Sequence, residues 1–211
     1  MKQASKFSYR YIVTVLLCAM VMLGGSGCIK NPSALAVKYM ENKYGEKFES
    51  IRSTGSHLTP ANQRRELVSC ESLPGKNILV VITSEGGVDT YADNYMEYYF
   101  ESQTADYLDQ IACVYFDDAT IRVQLSGIPK PDNVTLSTTF NDYITSSDHV
   151  LWAHLTVVSC DESDVRAFAN ALRLEGIHFW IRIKSLSETE GYLITYLNGD
   201  DDINIERYYT G

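Results

Sequence analysis

Four histidines, His57, His149, His154 and His178, are the side chains best suited to acid–base work or metal ligation, because an imidazole titrates near neutral pH. His154 and His178 fall in two segments that read as neighbouring strands, an arrangement from which a two-ligand metal site or an acid–base pair can be built. No HExxH spacing and no second carboxylate cluster accompanies them. His178 alternates with apolar Ile177 and Phe179, so it is expected to face outward beside Trp180. Nucleophilic catalysis has no better footing. The chain lacks GxSxG and SxxK, and Cys160 carries no local Cys–His signature. Gly86-Gly87 lacks the lysine and the spacing of a phosphate-binding loop. Between Asn198 and Glu206 oxygen-bearing side chains recur at every second position, as in a calcium loop, but the sixth-place glycine is missing and Ile203 and Ile205 interleave. A turn running into a strand shows the same pattern. The sequence therefore assigns no catalytic residue, no metal ligand and no cofactor.

Recognition chemistry is better represented. The chain has 15 tyrosines, and a ring with a hydroxyl handle serves both core packing and contact with a partner. Tyr95, Tyr98 and Tyr99 form the densest group and are the candidate recognition surface, with an envelope protein or peptide as the kind of partner expected.

Charge narrows the partners further. The formal net charge is -9, and without Lys2, Lys6 and Arg10 of the first ten residues the remainder carries 27 acidic against 15 basic residues, about -12. No basic stripe runs along the sequence, so nucleic acid is not an expected partner.

Those first residues form a leader. Met1 to Arg10 is basic, Tyr11 to Leu23 is uncharged and mostly apolar, and Gly24-Gly25-Ser26-Gly27-Cys28 follows. This is the order of a secretory signal. As a helix at ~1.5 Å per residue the apolar run would reach about 20 Å, short of the ~30 Å hydrocarbon layer. A permanent membrane span is the competing reading of the same residues. Cleavage before Cys28 and acylation of its thiol would leave a protein attached to the membrane by lipid, two or three acyl chains being enough for stable attachment. Of the other cysteines, Cys18 lies within the leader, and Cys70, Cys113 and Cys160 lack metal or redox clustering. They read as buried free thiols, with a Cys70–Cys113 bridge as the alternative.

The elements that would carry these groups are legible in outline. Asn31-Pro32 starts a helix with Val37, Met40 and Tyr44 on one face, and Gly45 ends it. Strands are expected over Phe48 to Arg52, Arg65 to Ser72 and Asn77 to Ser84. The last is apolar on both faces, hence central, and is broken at Gly86-Gly87. A mainly helical stretch follows from Asp93 to Tyr115, then a half-buried strand from Thr120 to Leu125. Val150 to Val158 reads as a strand. A helix capped by Asp161 or Ser159 and carrying Val165, Phe168 and Leu172 follows, then a strand from Ile177 to Ile183. Tyr192 to Leu197 and Ile203 to Tyr209 read as a hairpin about Asn198-Gly199. The sum is an α+β fold, mostly antiparallel sheet with about three packed helices. Pro129 and Pro131 suggest a linker at 127–136 between an N-terminal lobe, 28–126, and a C-terminal lobe, 137–211, after a signal peptide at 1–27.

Gly-Ser-Gly-Cys at 25–28 resembles the lipobox of bacterial lipoproteins, with Gly25 standing where that motif has Leu. Together with Tyr39-Met40-Glu41-Asn42-Lys43-Tyr44-Gly45-Glu46-Lys47-Phe48 and Asp93-Asn94-Tyr95, it resembles the opening of small uncharacterised lipoproteins of Gram-positive bacteria, over about residues 28–115. The resemblance implies a single-membrane host and an extracytoplasmic, lipid-anchored location. It implies no activity. The functional expectation is a surface lipoprotein that binds an envelope component or another protein, the rival being a cell-wall-directed enzyme whose groups converge only in space.

Overall fold

The computed structural model describes residues 31–55, 58–126, 129–131, 133–146, 148–187, 189–197, 199–200 and 202–209. The leader, Cys28, His57, Asn198 and part of the expected linker lie outside the described residues.

Asn31 accepts a hydrogen bond from Ser33 N at 3.1 Å and Pro32 fills the first helical position, which together launch helix α1 (Pro32–Tyr44). Ala36, Met40 and Tyr44 form its buried face, with Val37 only partly covered. Gly45 closes the helix at φ 71, its N–H donating to Glu41 O at 2.9 Å. Strands β1 (Phe48–Ser53), β2 (Gln63–Cys70), β3 (Ile78–Glu85) and β4 (Val88–Asp93) form an antiparallel meander against α1. Gly86 and Gly87 do not merely end β3. Both have positive φ, 58 and 84, and they sit between the paired Glu85 and Val88, as a two-residue hairpin turn requires. The strand β4 they create was not expected from the sequence. The central place of β3 holds, although its alternating burial shows that one face alone is fully covered.

The predicted long helix after Asp93 is two helices, α2 (Tyr95–Tyr99) and α3 (Glu101–Ala112), separated at Phe100. Strand β5 (Thr120–Val123) then joins a second sheet. Strand β6 (Lys130–Pro131) returns to the first, pairing with β4. A further short helix, α4 (Phe140–Ile144), is capped by Thr139, whose Oγ1 accepts from Asp142 N at 3.1 Å. The second sheet is completed by β7 (Leu151–Val157), β8 (Phe179–Ser185), β9 (Glu190–Tyr196) and β10 (Asn204–Tyr209), in the order β10-β9-β8-β7-β5. Helix α5 (Glu162–Leu174), capped by Asp161, links β7 to β8. That pair is parallel, which is why it needs a crossover rather than a tight turn. Every other pairing among the described residues is antiparallel, so the α+β class and its mostly antiparallel sheets hold. Three of the described helices have 12 or 13 residues and two have five.

Two hydrophobic cores result. Ala36, Met40, Val68, Ile78 and Tyr95 belong to one; Leu108, Leu155, Phe168, Leu172 and Ile181 belong to the other. The two cores do not take successive halves of the chain. Leu108 and Ala112 of α3 already lie in the second core and β5 in the second sheet, whereas Tyr143 packs in the first core. The β9–β10 hairpin spans residues 197–203 rather than a two-residue turn, because Thr195 pairs with Asn204.

Candidate binding face and buried polar cluster

Strand alternation sends Leu151, Ala153, Leu155 and Val157 of β7, and Phe179, Ile181 and Ile183 of β8, into the second core. The intervening residues face the other way. Register then assembles rows across the strands: Arg122 is paired with His154 and His154 with Arg182, Thr156 lies beside Lys184, and Trp152 lies beside Trp180. The basic stripe that the linear sequence lacks is thus built by neighbouring strands, about 4.8 Å apart. Arg122, Arg182 and Lys184 make no ion pair among the described residues. The Arg182 guanidinium lies 5.8 Å from the Trp180 ring centre and 5.2 Å from that of Tyr208. Trp152 and Trp180 stack at 4.9 Å and 21°.

Two open depressions cross this face. One of about 1190 Å³ includes Tyr98, Ser102, Arg122, Gln124, His154 and Thr156 in its lining. The other, of about 600 Å³, includes His154, Thr156, Arg182, Lys184, Tyr208 and Tyr209. His154 and Thr156 belong to both, so the two form one groove. Glu101 also lines the larger part and is held by Lys76. His154 Nε2 pairs with Gln124 Oε1 at 2.6 Å, and its pKa falls below the ordinary imidazole value through partial burial and through Arg182 and Arg122.

A second convergence is internal. Glu97 of α2, Lys130 of β6, Tyr143 of α4 and His149 are each buried. Ser126 Oγ donates to Glu97, and Lys130 Nζ donates to the Asp148 carbonyl. Tyr143 Oη, both His149 ring nitrogens and Trp152 Nε1 have no hydrogen-bond partner among the described residues. They adjoin a space of about 20 Å³, the size that one water fills. Tyr143 and His149 also border a cavity of about 150 Å³ with Lys130. Burial, then the nearby Lys130 and His178, pushes the His149 pKa down to about 3. Burial also lowers that of Lys130 and, with Glu97, raises that of Tyr143. Among the described residues neither His149 ring nitrogen meets a serine hydroxyl.

The tyrosine group expected to form a recognition surface is split. Tyr95 is 2% exposed, donates to Glu46 Oε1 at 2.7 Å and stacks on Tyr44 at 4.0 Å, so it is a core residue. Tyr99 is 49% exposed, and Tyr98 lines the groove while donating to Asn77 O at 3.2 Å. Asp93, beneath them, accepts from Tyr39 Oη, Lys43 Nζ, Tyr44 Oη and Tyr95 N. His154 and His178 are not brought together, since His178 stacks on Tyr196 at 5.5 Å. Among the described residues Cys70, Cys113 and Cys160 form no disulfide, and Cys113 is exposed rather than buried. In the β9–β10 loop, Asp200 accepts from Leu197 N and Asp202 from Ile203 N, as capping side chains do. Among the described residues no group of three or more His, Cys, Asp or Glu could hold a metal ion, and no helix is long and apolar enough to cross a membrane.

Sequence reasoning missed Arg122, Arg182, Lys184 and Tyr208. The signal was present in Phe179-Trp180-Ile181-Arg182-Ile183-Lys184, where every outward position is aromatic or basic. No protein-family model and no curated protein matches this chain. A solved structure that is similar to it is a DUF5037 family protein from Ruminococcus gnavus ATCC 29149, at 13% identity over 74% of this chain and 75% of that one, with a TM-score of 0.41.

Proposed function

We propose that this chain is a lipid-anchored binding protein of the bacterial cell surface, held through Cys28 and engaging an envelope component with the outer face of its second sheet. The observation that carries the binding reading is the Arg122–His154–Arg182 row with Lys184 beside it. Cations side by side on neighbouring strands oppose one another, and a chain of net charge -9 has ample acids with which to pair them. Leaving them together with no ion pair among the described residues is the arrangement of a surface that meets negative charge from outside.

The anchor rests on the leader and the small residues before Cys28. Cys28→Ala is expected to abolish labelling by a fatty acid and to release the protein from the membrane fraction. Labelling that survives the change would refute the anchor. For the face, full-length protein in detergent is applied to isolated cell envelopes. Arg122→Glu with Arg182→Glu should lose retention, and unchanged retention would refute the face.

The cell-wall-directed enzyme is favoured by one observation, the convergence of Lys130, Tyr143 and His149 beside a cavity of about 150 Å³. Hydrolysis of purified wall material that is abolished by His149→Gln in a folded variant would establish it over the binding reading.

A further inference from the structure

We infer that the groove on the outer face of the second sheet binds an anionic polysaccharide, a chain of sugar rings bearing carboxylate or phosphate groups. The inference rests on the reading of this face as the binding face and names its ligand.

Charge gives the first half of the ligand. Arg122, Arg182 and Lys184 present their cations within one row and its neighbour, with His154 between the two guanidiniums. Two planar forks set either side of an imidazole suit oxyanions repeated along a chain, because a guanidinium takes a carboxylate or phosphate through paired N–H groups. Glu101, the acid in the groove lining, is already neutralised by Lys76.

The rest of the lining gives the second half. Tyr98 stands in one depression, Tyr208 and Tyr209 in the other, and Thr156 lies where the two meet. Rings attract the polarised C–H groups of a sugar face, and hydroxyls and Gln124 match its alcohols. The two spaces, about 1190 Å³ and about 600 Å³, exceed in total the ~300–1,000 Å³ of an ordinary small-molecule pocket. An extended ligand fits that shape.

An acidic peptide fits it less well. Extended peptides gain affinity by adding main-chain hydrogen bonds to a strand edge. Here β7 lies between β5 and β8, and β8 lies between β7 and β9. Their backbone groups are taken up by the ladders, so the middle of the groove offers side chains only, while the sheet's edge strands β5 and β10 border its two ends.

The test uses the full chain in detergent and calorimetry against polygalacturonate, phosphorylated dextran, neutral dextran, poly-glutamate and oligodeoxythymidylate. At least one of the two anionic sugar polymers should bind, with affinity falling as salt rises. Arg122→Glu with Arg182→Glu should weaken binding about tenfold or more, as loss of complementary charge does. Arg64→Glu with Arg65→Glu, the same charge change at exposed positions of the first sheet, should leave it within about twofold. Poly-glutamate or oligodeoxythymidylate binding as tightly as the anionic sugars would overturn the inference, and so would insensitivity to the Arg122 and Arg182 changes. If no polymer binds while envelope retention still depends on Arg122 and Arg182, the polysaccharide is wrong and the binding face stands. If that dependence is absent too, both fall.

Discussion

Tyr208 lies over Gly191, its register partner on the neighbouring strand, so closely that a methyl group on Gly191 would stand 2.6 Å from Tyr208 Cζ. The same methyl would stand 2.7 Å from the Ile183 carbonyl oxygen, to which Tyr208 Oη donates at 3.1 Å. Gly191 has an ordinary strand conformation, so the constraint is space alone. The flat ring then serves as a plate under Arg182.

Gly191→Ala is therefore expected to cost about 1–3 kcal/mol, the range for overpacking a filled site, because the ring and the carbonyl cannot both retreat. Urea unfolding measures it. The Tyr208→Phe variant, which keeps the ring and loses only the bond to Ile183 O, should cost less, about 1 kcal/mol.

Asp93 makes the second prediction. Its carboxylate is 1% exposed and takes Lys43 Nζ at 2.8 Å, together with the hydroxyls of Tyr39 and Tyr44. The Tyr44 pKa is raised first by burial and then by this carboxylate, so the hydroxyl keeps its proton and donates. Removing the carboxylate leaves a buried ammonium without that counter-charge, and Asp93→Ala should destabilise by about 3–5 kcal/mol. The Asp93→Ala, Lys43→Met pair should recover a large part of the loss. Equal stability of the single and double variants would show that the charge pair is not what Asp93 supplies.

Acid lability follows from His149. Its folded pKa of about 3 lies below the ordinary imidazole value of 6.5, so the unfolded chain takes up a proton before the folded one does. The stability contributed by keeping the ring neutral is whole above pH 6.5, declines as pH falls between 6.5 and about 3, and is gone below that window. Melting temperature against pH should fall on the acid side, and His149→Phe should flatten that limb.

His154 shifts in the same direction, and its consequence is for binding. Burial and the guanidiniums of Arg182 and Arg122 hold its pKa down, on a face where Gln124 and Thr156 are its uncharged neighbours. A bound polyanion cancels the field of the two arginines and raises that pKa, so binding takes up a proton. Affinity for polygalacturonate should strengthen as pH falls from the ordinary imidazole value toward the lowered one, and then level off. Calorimetry at several pH values reads this directly, and His154→Gln should remove the pH dependence while leaving salt dependence in place.

Local signals were legible wherever one side chain decides the outcome: the Asn31-Pro32 start of α1, the Asp161 cap of α5, and the buried alternation Phe179, Ile181, Ile183. The Gly86-Gly87 pair was legible only as a break, since its meaning as a hairpin depends on Val88 to Asp93 pairing back onto β3. The binding face was harder. Arg122, His154 and Arg182 are separated by dozens of residues and become neighbours through two pairings, one antiparallel and one parallel. Sequence spacing carries no trace of register between distant strands. Tyr95, Tyr98 and Tyr99 differ for the opposite reason: they are close in sequence, and Tyr95 even stacks on Tyr99 at 6.1 Å, but packing against Tyr44 and Phe48 buries Tyr95 while Tyr99 stays 49% exposed.

The order of strands along the chain has one more consequence. Strand β5 joins the second sheet before β6 comes back to the first, so each sheet is laced through the other's stretch of polypeptide. A ribosome releasing this chain cannot finish the first sheet and move on, because Lys130 must emerge to seal an edge left open at Asp93. A protease that nicks the backbone near residue 125 should accordingly yield two fragments that comigrate under native conditions and part only in denaturant.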